Sequence, residues 1–262
     1  MTTPYDTIRI AGGDTATPRN LAKRLAAIAP WLHSGAAFLD CGCGCGEYVR
    51  ALRERHAVNA QGVEYLTDKV AQAKADPRVA DHVRQGDIER LPFPDGSFDT
   101  ALLNEVLEHV PDENAALTEI RRVLKPAGVL IIFSPNRWYP FETHGTFLKY
   151  KFAPPPIRIP HWMPFIPYIP LTVGQRFITY WARNYWPREL AALAVRNGFV
   201  VRERKYFWQT FENISGRQPA CLKMLAPLLR ALAGLGEKLP LLKKFGVSQM
   251  LVLQRADGDH GQ

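Results

Sequence analysis

The sequence predicts an α/β fold in which a doubly wound sheet carries an insertion rich in aromatic residues and prolines. Apolar runs typical of buried strands alternate with helical patterns over the first 135 residues. A strand, a glycine turn and a helix start follow one another directly at residues 37–52. From residue 136 the pattern changes, because prolines begin to interrupt every long helix or strand. A chain of 262 residues can hold one such domain with its elaboration.

The elements around the glycine turn follow from residue spacing. Apolar residues at helical spacing predict a helix over Thr17–Leu32. A short apolar run then ends in Asp40, and glycines follow at Gly42 and Gly44. Glycine permits positive φ and lets a ligand lie against bare main chain. The free N–H groups at the start of the next helix, from Glu47, point at that ligand.

The order of the acid and the glycines separates two kinds of ligand. Dinucleotide enzymes use G-x-G-x-x-G, whose last glycine packs the helix on the strand. Here the order is Asp-x-Gly-x-Gly-x-Gly, with the acid on the strand. This spacing disfavours a nucleotide-dependent oxidoreductase, and it resembles motif I of the class I S-adenosylmethionine-dependent methyltransferases. In that family the glycine loop passes under the amino-acid end of the cofactor.

Further motifs extend the resemblance over residues 37–135, in the order typical of the small-molecule, type 11-like branch. Val58–Glu64 indicates the second strand and Phe98–Asn104 the fourth. Glu105–Asp112 follows the fourth strand, and a motif of this kind often stands there in that branch. Arg121–Phe133 indicates a helix, a turn and a buried strand. The resemblance returns near residues 186–206. Each motif alone is weak, but all of them in order at strand–helix–strand spacing point to one family.

The resemblance implies a Rossmann-like seven-stranded sheet whose last strand, Gln249–Leu253, runs antiparallel to its neighbours. It also implies S-adenosylmethionine as the cofactor. The cofactor-binding residues would be Asp40, Gly42, Gly44, Glu64, Tyr65, Asp87, Ile88 and Asn104.

Three of these residues have a specific expected contact. Glu64 is placed to accept hydrogen bonds from a ribose diol, although an acid after a strand can also be a plain surface residue. In the family, the acid corresponding to Asp87 meets the adenine amino group and its neighbour packs on the ring. An acid after a glycine also suits a turn. Asn104 ends the fourth strand, where it can meet the sulfonium end of the cofactor.

The candidate catalytic residues lie just beyond two strands. Methyl transfer from a sulfonium releases a neutral thioether, so the enzyme must mainly hold the nucleophile in line with the S–CH3 bond. An alcohol or phenol acceptor also needs a proton removed, usually by His, Asp or Glu. Glu142 and His144 follow the fifth strand, and His109 lies in the turn after the fourth. His144 also suits a simple loop hydrogen bond, and His109 suits capping of its turn.

Four segments are predicted along the chain. Residues 1–135 hold the N-terminal helix and the cofactor-binding half, and residues 136–186 are a substrate-cap insertion. Residues 187–256 complete the core, with a helical insertion near 210–245, and residues 257–262 are a tail. The cap is expected over the carboxyl ends of the strands, where ligands sit in open α/β sheets. Its aromatic composition favours a pocket for an apolar acceptor, with an interfacial membrane foot or a dimer surface as alternatives.

Charge and composition limit which partners, cellular location and metal sites can be expected. The net charge of +8 suits an acidic acceptor, an anionic membrane surface or a nucleic acid, and most of the basic excess lies past Arg137. The N-terminus lacks a signal-peptide pattern and no apolar run approaches the ~20 residues of a membrane helix, which predicts a cytoplasmic protein with at most peripheral membrane contact. Cys41, Cys43 and Cys45 are spaced too closely for a zinc pattern, so no metal is expected.

The sequence therefore predicts an S-adenosylmethionine-dependent methyltransferase acting on oxygen of a small, hydrophobic or lipid-linked acceptor, such as a quinone, a polyketide or a lipid-linked sugar. An RNA methyltransferase is the alternative that the charge permits, but there is no recognised RNA module, and nucleic acid is not the expected partner. A non-enzymatic cofactor-binding or interaction protein of the same fold is the third hypothesis. The intact glycine loop and both acids argue against it.

Overall fold

A computed structural model describes residues 17–141, 146–148, 157, 159, 163–174, 176–180, 182–211 and 221–256. The side chains of residues 171, 179, 180 and 221–223 are not described. Two of the predicted catalytic residues, Glu142 and His144, lie outside the described residues, as does the tail at 257–262.

Nine strands and seven helices lie in the described part of the chain. The strands are β1 (Ala37–Cys41), β2 (Asn59–Glu64), β3 (Val83–Gln85), β4 (Phe98–Asn104), β5 (Leu124–Pro135), β6 (Thr146–Leu148), β7 (Ile178–Tyr180), β8 (Phe199–Phe207) and β9 (Ser248–Arg255). The helices are α1 (Pro18–Ile28), α2 (Glu47–His56), α3 (Thr67–Lys74), α4 (Glu113–Val123), α5 (Leu171–Gly174), α6 (Pro187–Arg196) and α7 (Cys221–Lys238). Short 3-10 turns follow α1 (Ala29–Trp31), precede β3 (Ala80–His82), follow β4 (Leu107–His109), precede α5 (Ile166–Tyr168) and follow α7 (Leu242–Phe245).

The main sheet has seven strands in the order β3-β2-β1-β4-β5-β9-β8. Strands β1 to β5 are parallel, and β9 lies antiparallel between β5 and β8. The predicted seven-stranded, doubly wound sheet with an antiparallel last strand is therefore confirmed. The order reverses between β1 and β4, and ligands of open α/β sheets bind at such a switch point.

Both faces of the sheet are covered by helices, which explains the continuous apolar runs in the central strands. On one face, Ile120 of α4 and Leu190 of α6 pack in a cluster with the sheet. On the other face, Leu25 of α1 and Leu52 of α2 do the same. The carboxyl ends of the parallel strands remain at one edge, where Asp40, Glu64 and Asn104 lie.

Two helices end earlier than the stretch of apolar residues that predicts them. The pattern over Thr17–Leu32 becomes α1, which ends at Ile28 because Pro30 allows only a 3-10 turn beyond it. The amphipathic pattern in the predicted insertion near 210–245 becomes α7 and a separate 3-10 turn, with Pro240 between them. Within the cap, β6 and β7 form a second, two-stranded antiparallel sheet.

Candidate functional site

The loop between β1 and α2 presents bare main chain at the carboxyl edge of the sheet. Gly42 has φ +78°, and a Cβ there would lie 2.6 Å from Val106 Cγ2. Gly44 has φ +56°, and a Cβ there would meet no atom of the described chain within 4 Å. The loop is therefore tight at Gly42 and open at Gly44, where a ligand can approach the backbone closely.

Glu64 connects the end of β2 to this loop. One of its carboxylate oxygens accepts from the Gly44 N–H at 2.8 Å, and the other accepts from the Leu66 N–H at 2.9 Å. The side chain is buried. Because a carboxylate oxygen has two lone pairs, both can accept a further donor. The predicted ribose contact of Glu64 is compatible with this arrangement and stays a prediction.

Asp40 has the most unusual environment at this edge. Its side chain is 1% exposed, and neither carboxylate oxygen has a hydrogen-bond partner among the residues that the structure describes. Burial raises the pKa of Asp40 to about 8, and the negative charges of Glu64 and Glu47 contribute to the rise. A buried carboxyl group without a donor is costly, so the site suits a ligand that brings an N–H or ammonium group.

The remaining predicted cofactor residues surround β3 and the end of β2. Tyr65 directly follows β2 and is exposed, and its carbonyl accepts from the Gln85 amide at 3.3 Å. Asp87 shapes the turn after β3, since its carboxylate accepts from the Glu89 N–H at 2.9 Å. Ile88 is buried in the apolar core. The turn-forming role of Asp87 is therefore observed, while its adenine contact stays a prediction.

Asn104, at the end of β4, is held by Arg24 of α1. The Arg24 guanidinium donates to Asn104 Oδ1 and lies over the Phe133 ring, 4.7 Å from its centroid. Arg24 is itself buried. The N-terminal helix thus reaches the carboxyl edge of the sheet and fixes the side chain expected beside the sulfonium.

A buried ion pair continues this network. Arg24 donates to Glu105 Oε1 at 2.6 Å, and the Ser248 hydroxyl donates to the same oxygen at 2.8 Å. Glu105 has φ +57°, a conformation that few residues other than glycine adopt. Non-glycine residues in this region store strain and tend to lie at functional sites. The sharp turn brings the Glu105 carboxylate to Arg24 and to the start of β9.

Glu108 and His109 lie in the 3-10 turn just after β4. Burial raises the pKa of Glu108 well above its ordinary range, and the Glu105 carboxylate raises it further, whereas Arg24 lowers it. Burial and the nearby Glu105 carboxylate thus raise the pKa of Glu108 and favour its neutral form, and Glu105 is the acid that forms the ion pair with Arg24. His109 is half-buried, and its backbone N–H donates to the Val106 carbonyl at 2.9 Å. The predicted catalytic role of His109 stays a prediction.

Sequence reasoning missed Arg24, Glu105 and Glu108 as members of this site. For Arg24 a signal existed, because it lies on the apolar side of its helix between Leu21, Leu25 and Ile28. A basic residue on an apolar helix face usually has a buried acid as its partner. The two acids gave no comparable signal, since acids after a strand are common at exposed turns.

A second buried arginine, Arg137, joins the start of the cap to the segment that precedes α5. Its guanidinium donates to the carbonyls of Pro167 at 2.7 Å and Ile169 at 3.0 Å. It also lies 5.2 Å from the ring centroid of Trp186, which in turn contacts Trp138 at 5.3 Å. This aromatic group stands where the chain leaves β5, next to the carboxyl edge of the sheet.

The loop cysteines are packing residues. Cys41 and Cys43 are buried, and burial raises the pKa of both thiols well above its ordinary value. The Cys45 thiol lies 3.0 Å from Gln72 Oε1. Among the described residues there is no group of three or more His, Cys, Asp or Glu side chains that could hold a metal ion.

Comparison with known sequences gives a match over the β1 to β5 region. Residues 39–132 match the family described as Methyltransferase domain. The 27-O-demethylrifamycin SV methyltransferase of Amycolatopsis mediterranei (strain S699) is 36% identical over 126 residues, which cover 45% of each protein. The chain spans less than half the length of the curated relatives it matches.

Solved structures share the fold over most of the chain. The [4+2]-cyclase SpnF has a TM-score of 0.58 at 19% identity, covering 94% of this chain and 86% of that protein. An S-adenosylmethionine dependent methyltransferase from Mesorhizobium loti has a TM-score of 0.57 at 18% identity, covering 88% of this chain and 96% of that protein. Identities this low show the fold alone, and one of these two proteins is named for a cyclisation.

No helix in the described part of the chain is long and apolar enough to span a membrane.

Proposed function

We propose that this chain, whose residues 39–132 match the family described as Methyltransferase domain, transfers a methyl group from S-adenosylmethionine to a small acceptor. The observation that supports this most is the buried Asp40 carboxyl, which has no hydrogen-bond partner in the described chain and lies on the strand leading into the open Gly44 loop. The amino-acid end of S-adenosylmethionine carries an ammonium group. Such a group would satisfy Asp40 and stabilise its charged form.

Each residue around the loop would bind a different part of the cofactor. Asp40 would accept from the ammonium group, Glu64 from the ribose diol and Asp87 from the adenine amino group. Tyr65 and Ile88 would flank the adenine ring. Bound S-adenosylmethionine supplies a methyl group on a positively charged sulfur, and the protein holds the acceptor in line with it.

Asn104 would face the sulfonium end, with Arg24 fixing its orientation. The main-chain N–H groups at the start of α2 and the bare backbone at Gly44 would complete the cradle. Because α1 supplies Arg24, the N-terminal helix would form part of the site.

The proposed acceptor is a small, hydrophobic or lipid-linked molecule that is methylated on oxygen. The described part of the cap supports this, since Trp138, Phe141, Phe165 and Phe177 are all exposed there. The name of the Amycolatopsis relative also specifies an O-linked position. Aromatic residues with basic neighbours suit a lipid headgroup layer, so peripheral membrane contact belongs to the same proposal. Glu142, His144 and His109 are the proposed candidates for removing the acceptor proton.

Calorimetry of S-adenosylmethionine and S-adenosylhomocysteine binding tests the cofactor site. The variants are Asp40→Asn and Glu64→Gln, which keep side-chain size and prevent the side chain from carrying a negative charge. Glu54→Gln, on the exposed side of α2, is the matched control. We expect both site variants to weaken S-adenosylmethionine binding roughly tenfold or more and the control to bind like the wild type.

The proposal would be wrong if the wild-type protein bound neither S-adenosylmethionine nor S-adenosylhomocysteine. Binding without turnover on any acceptor would favour a cofactor-binding role, or a reaction other than methyl transfer, on the same fold. Acceptors are compared by the release of S-adenosylhomocysteine with a hydroquinone, a phenolic polyketide, a primary amine and an RNA. Turnover only with the amine or the RNA would overturn the assignment to oxygen of an apolar acceptor.

A further inference from the structure

The long helix α7 turns its apolar side outward. Met224, Leu225, Leu228, Leu232 and Leu235 lie on one side at helical spacing, and all are exposed, with Met224 at 85%. Exposed leucines continue this surface at residues 239, 241 and 242, beyond the end of the helix. We call these eight residues the leucine face. An ordinary surface helix has the opposite arrangement, with its apolar stripe against the core.

The opposite side of α7 faces the protein and is small and polar. Ala226 and Ala233 are buried, and a Cβ at Gly236 would lie 3.0 Å from the Trp208 ring. Glu237 accepts from Lys23 of α1 and from the Trp208 N–H at 2.7 Å. These contacts fix the rotation of the helix about its axis. The leucine face is therefore outward because the other side is anchored.

The charges around the leucine face have one sign. Residues 221–247 contain five basic residues and one acid. The acid, Glu237, points inward to Lys23, and one of the basic residues, Arg230, points inward to the Phe211 carbonyl. Lys238, Lys243 and Lys244 are exposed at the same end of the segment as the apolar residues 239–242. An apolar surface edged by lysines without exposed acids is complementary to acyl chains beneath anionic headgroups.

The same segment adjoins the expected acceptor end of the site. The Asn136 amide donates to the carbonyls of Lys244 at 2.8 Å and Gly246 at 2.7 Å. The ring centroids of Trp138 and Phe245 are 5.7 Å apart. Asn136 directly follows β5, so the surface beyond α7 is continuous with the carboxyl edge of the sheet.

We propose that α7 and residues 239–245 form a docking surface for an anionic lipid bilayer, with the leucines at the acyl boundary and the lysines among the lipid phosphates. A second copy of the chain fits less well, because its own segment 221–247 carries the same excess of basic residues and supplies no acid to pair with them. The proposal deepens the proposed function, on which its biological purpose rests, by naming the surface through which a lipid-linked acceptor would be reached.

Vesicle flotation tests the docking surface. The probes are vesicles of phosphatidylcholine alone and of phosphatidylcholine with about 30% phosphatidylglycerol. We expect the wild type to bind the anionic vesicles at least roughly tenfold more strongly, with binding that weakens as salt rises. Replacing Leu228, Leu232 and Leu235 together by Gln is expected to lower the partition coefficient roughly tenfold or more.

Two further variants separate the contributions. Replacing Val195, Val200 and Val201 by Gln removes three exposed apolar residues from α6 and β8 and is expected to leave binding within roughly twofold of wild type. Replacing Lys238, Lys243 and Lys244 by Gln keeps the leucine face intact. It is expected to abolish the preference for phosphatidylglycerol and the salt dependence. Circular dichroism and thermal melts confirm that each variant is folded.

Several results would overturn the proposal. One is a wild type that binds neither kind of vesicle, and another is a leucine variant that binds as well as the wild type. A third is a dimer in sedimentation equilibrium that the leucine variant dissociates while vesicles are not bound. A fourth is vesicle binding that appears only after residues 1–16 are removed, which would make the leucine face an internal contact surface.

Failure here is distinguishable from failure of the proposed function. Vesicle binding is measured without S-adenosylmethionine, and the leucine variant is expected to bind S-adenosylmethionine with the wild-type affinity in calorimetry. Loss of vesicle binding with cofactor binding retained is the result that the proposal predicts for this variant. If the wild type bound vesicles but not the cofactor, only the methyltransferase assignment would fall.

Discussion

A single carboxyl group, Asp40, shows how the site is set at the scale of one residue. It is buried without a hydrogen-bond partner in the described chain, and its pKa is raised from 3.8 to about 8. At a pH between these two pKa values, the Asp40 carboxyl is protonated in the folded state and has lost its proton in the unfolded chain. The folded state then binds more protons than the unfolded state, so the free energy of unfolding falls as pH rises from about 4 to about 8.

Asp40→Asn is expected to remove this pH dependence. Near pH 8 the variant should raise the free energy of unfolding by roughly 1–4 kcal/mol, because an amide has no charge to desolvate. Near pH 4, where the aspartate is protonated when folded, the change should be small. Urea denaturation at both pH values measures the difference. An equal change at both would mean that Asp40 does not titrate as its burial implies.

Two features of position 42 require glycine: the positive φ of its backbone and the close approach of the Val106 side chain. Gly42→Ala would place a methyl group 2.6 Å from Val106 Cγ2 at a residue with φ +78°. We expect a loss of roughly 2–4 kcal/mol in the free energy of unfolding, from backbone strain and overpacking together. Adding Val106→Ala should recover the overpacking part and leave the strain. Denaturation of the two single variants and the double variant gives this coupling, and simple additivity would contradict the contact.

At the scale of elements, α1 is joined to the sheet by a buried charge pair. Arg24 and Glu105 are 2.6 Å apart, and both side chains are largely withdrawn from solvent. The pair connects a helix from the start of the chain with the turn after β4, and Ser248 adds the start of β9. Removal of one partner leaves the other charge buried, which costs more than the pair itself contributes.

Arg24→Met is expected to lower the free energy of unfolding by roughly 3–5 kcal/mol. Glu105→Gln alone should cost less, because the amide can still accept from the arginine and the serine. The double variant should be more stable than Arg24→Met, since no unpaired charge remains. A double-mutant cycle by chemical denaturation measures the coupling. Losses that simply add would show that the two side chains do not interact.

The elements that the sequence predicted are those whose signal is local. The apolar runs of β1, β4 and β5, the glycine loop and the acids at the ends of β1 and β2 could all be recognised in short windows. The outward rotation of α7 could not, because leucines at helical spacing define a face without saying which way it points. Its direction depends on Gly236 against Trp208 and Glu237 against Lys23, which are contacts between distant parts of the chain.

The site divides in the same way. Asp40, Gly44 and Glu64 come together because parallel strands end at one edge, which the motif order already implied. The network of Arg24, Glu105 and Glu108 was not predicted, because it requires a helix from the start of the chain to cross onto that edge. A buried arginine can be suspected from its place on an apolar helix face, but its partners depend on the packing of the whole domain.

At the scale of the whole molecule, the sheet is completed by β9, the last strand in the part of the chain that the structure describes. β9 pairs with β5 over seven residues and with β8 on its other side. Met250, Leu251, Val252 and Leu253 are fully buried, so the strand contributes to the core on both faces of the sheet. The core therefore cannot close until residues 248–255 are available.

Deletion of residues 248–262 is expected to abolish cooperative unfolding, because it removes an interior strand of the sheet and leaves β5 and β8 with unpaired backbone. Deletion of residues 257–262 alone keeps β9 whole and serves as the control. Thermal melts followed by circular dichroism compare the two proteins. A cooperative transition in the longer deletion would contradict a central role for β9.

The two ends of the cap, at Asn136 and Tyr185, lie side by side against the core, so the cap could be exchanged as a unit. Asn136 forms a bridge with Tyr185, whose carbonyl accepts from the Arg137 N–H at 3.1 Å and from the Gln249 amide at 3.0 Å. Because its two ends are adjacent, the excursion between them can change in length at little entropic cost. A cap of different size and chemistry can be grafted between these positions while the sheet keeps its register. If the proposed function is right, the same cofactor-binding core would then serve a new acceptor.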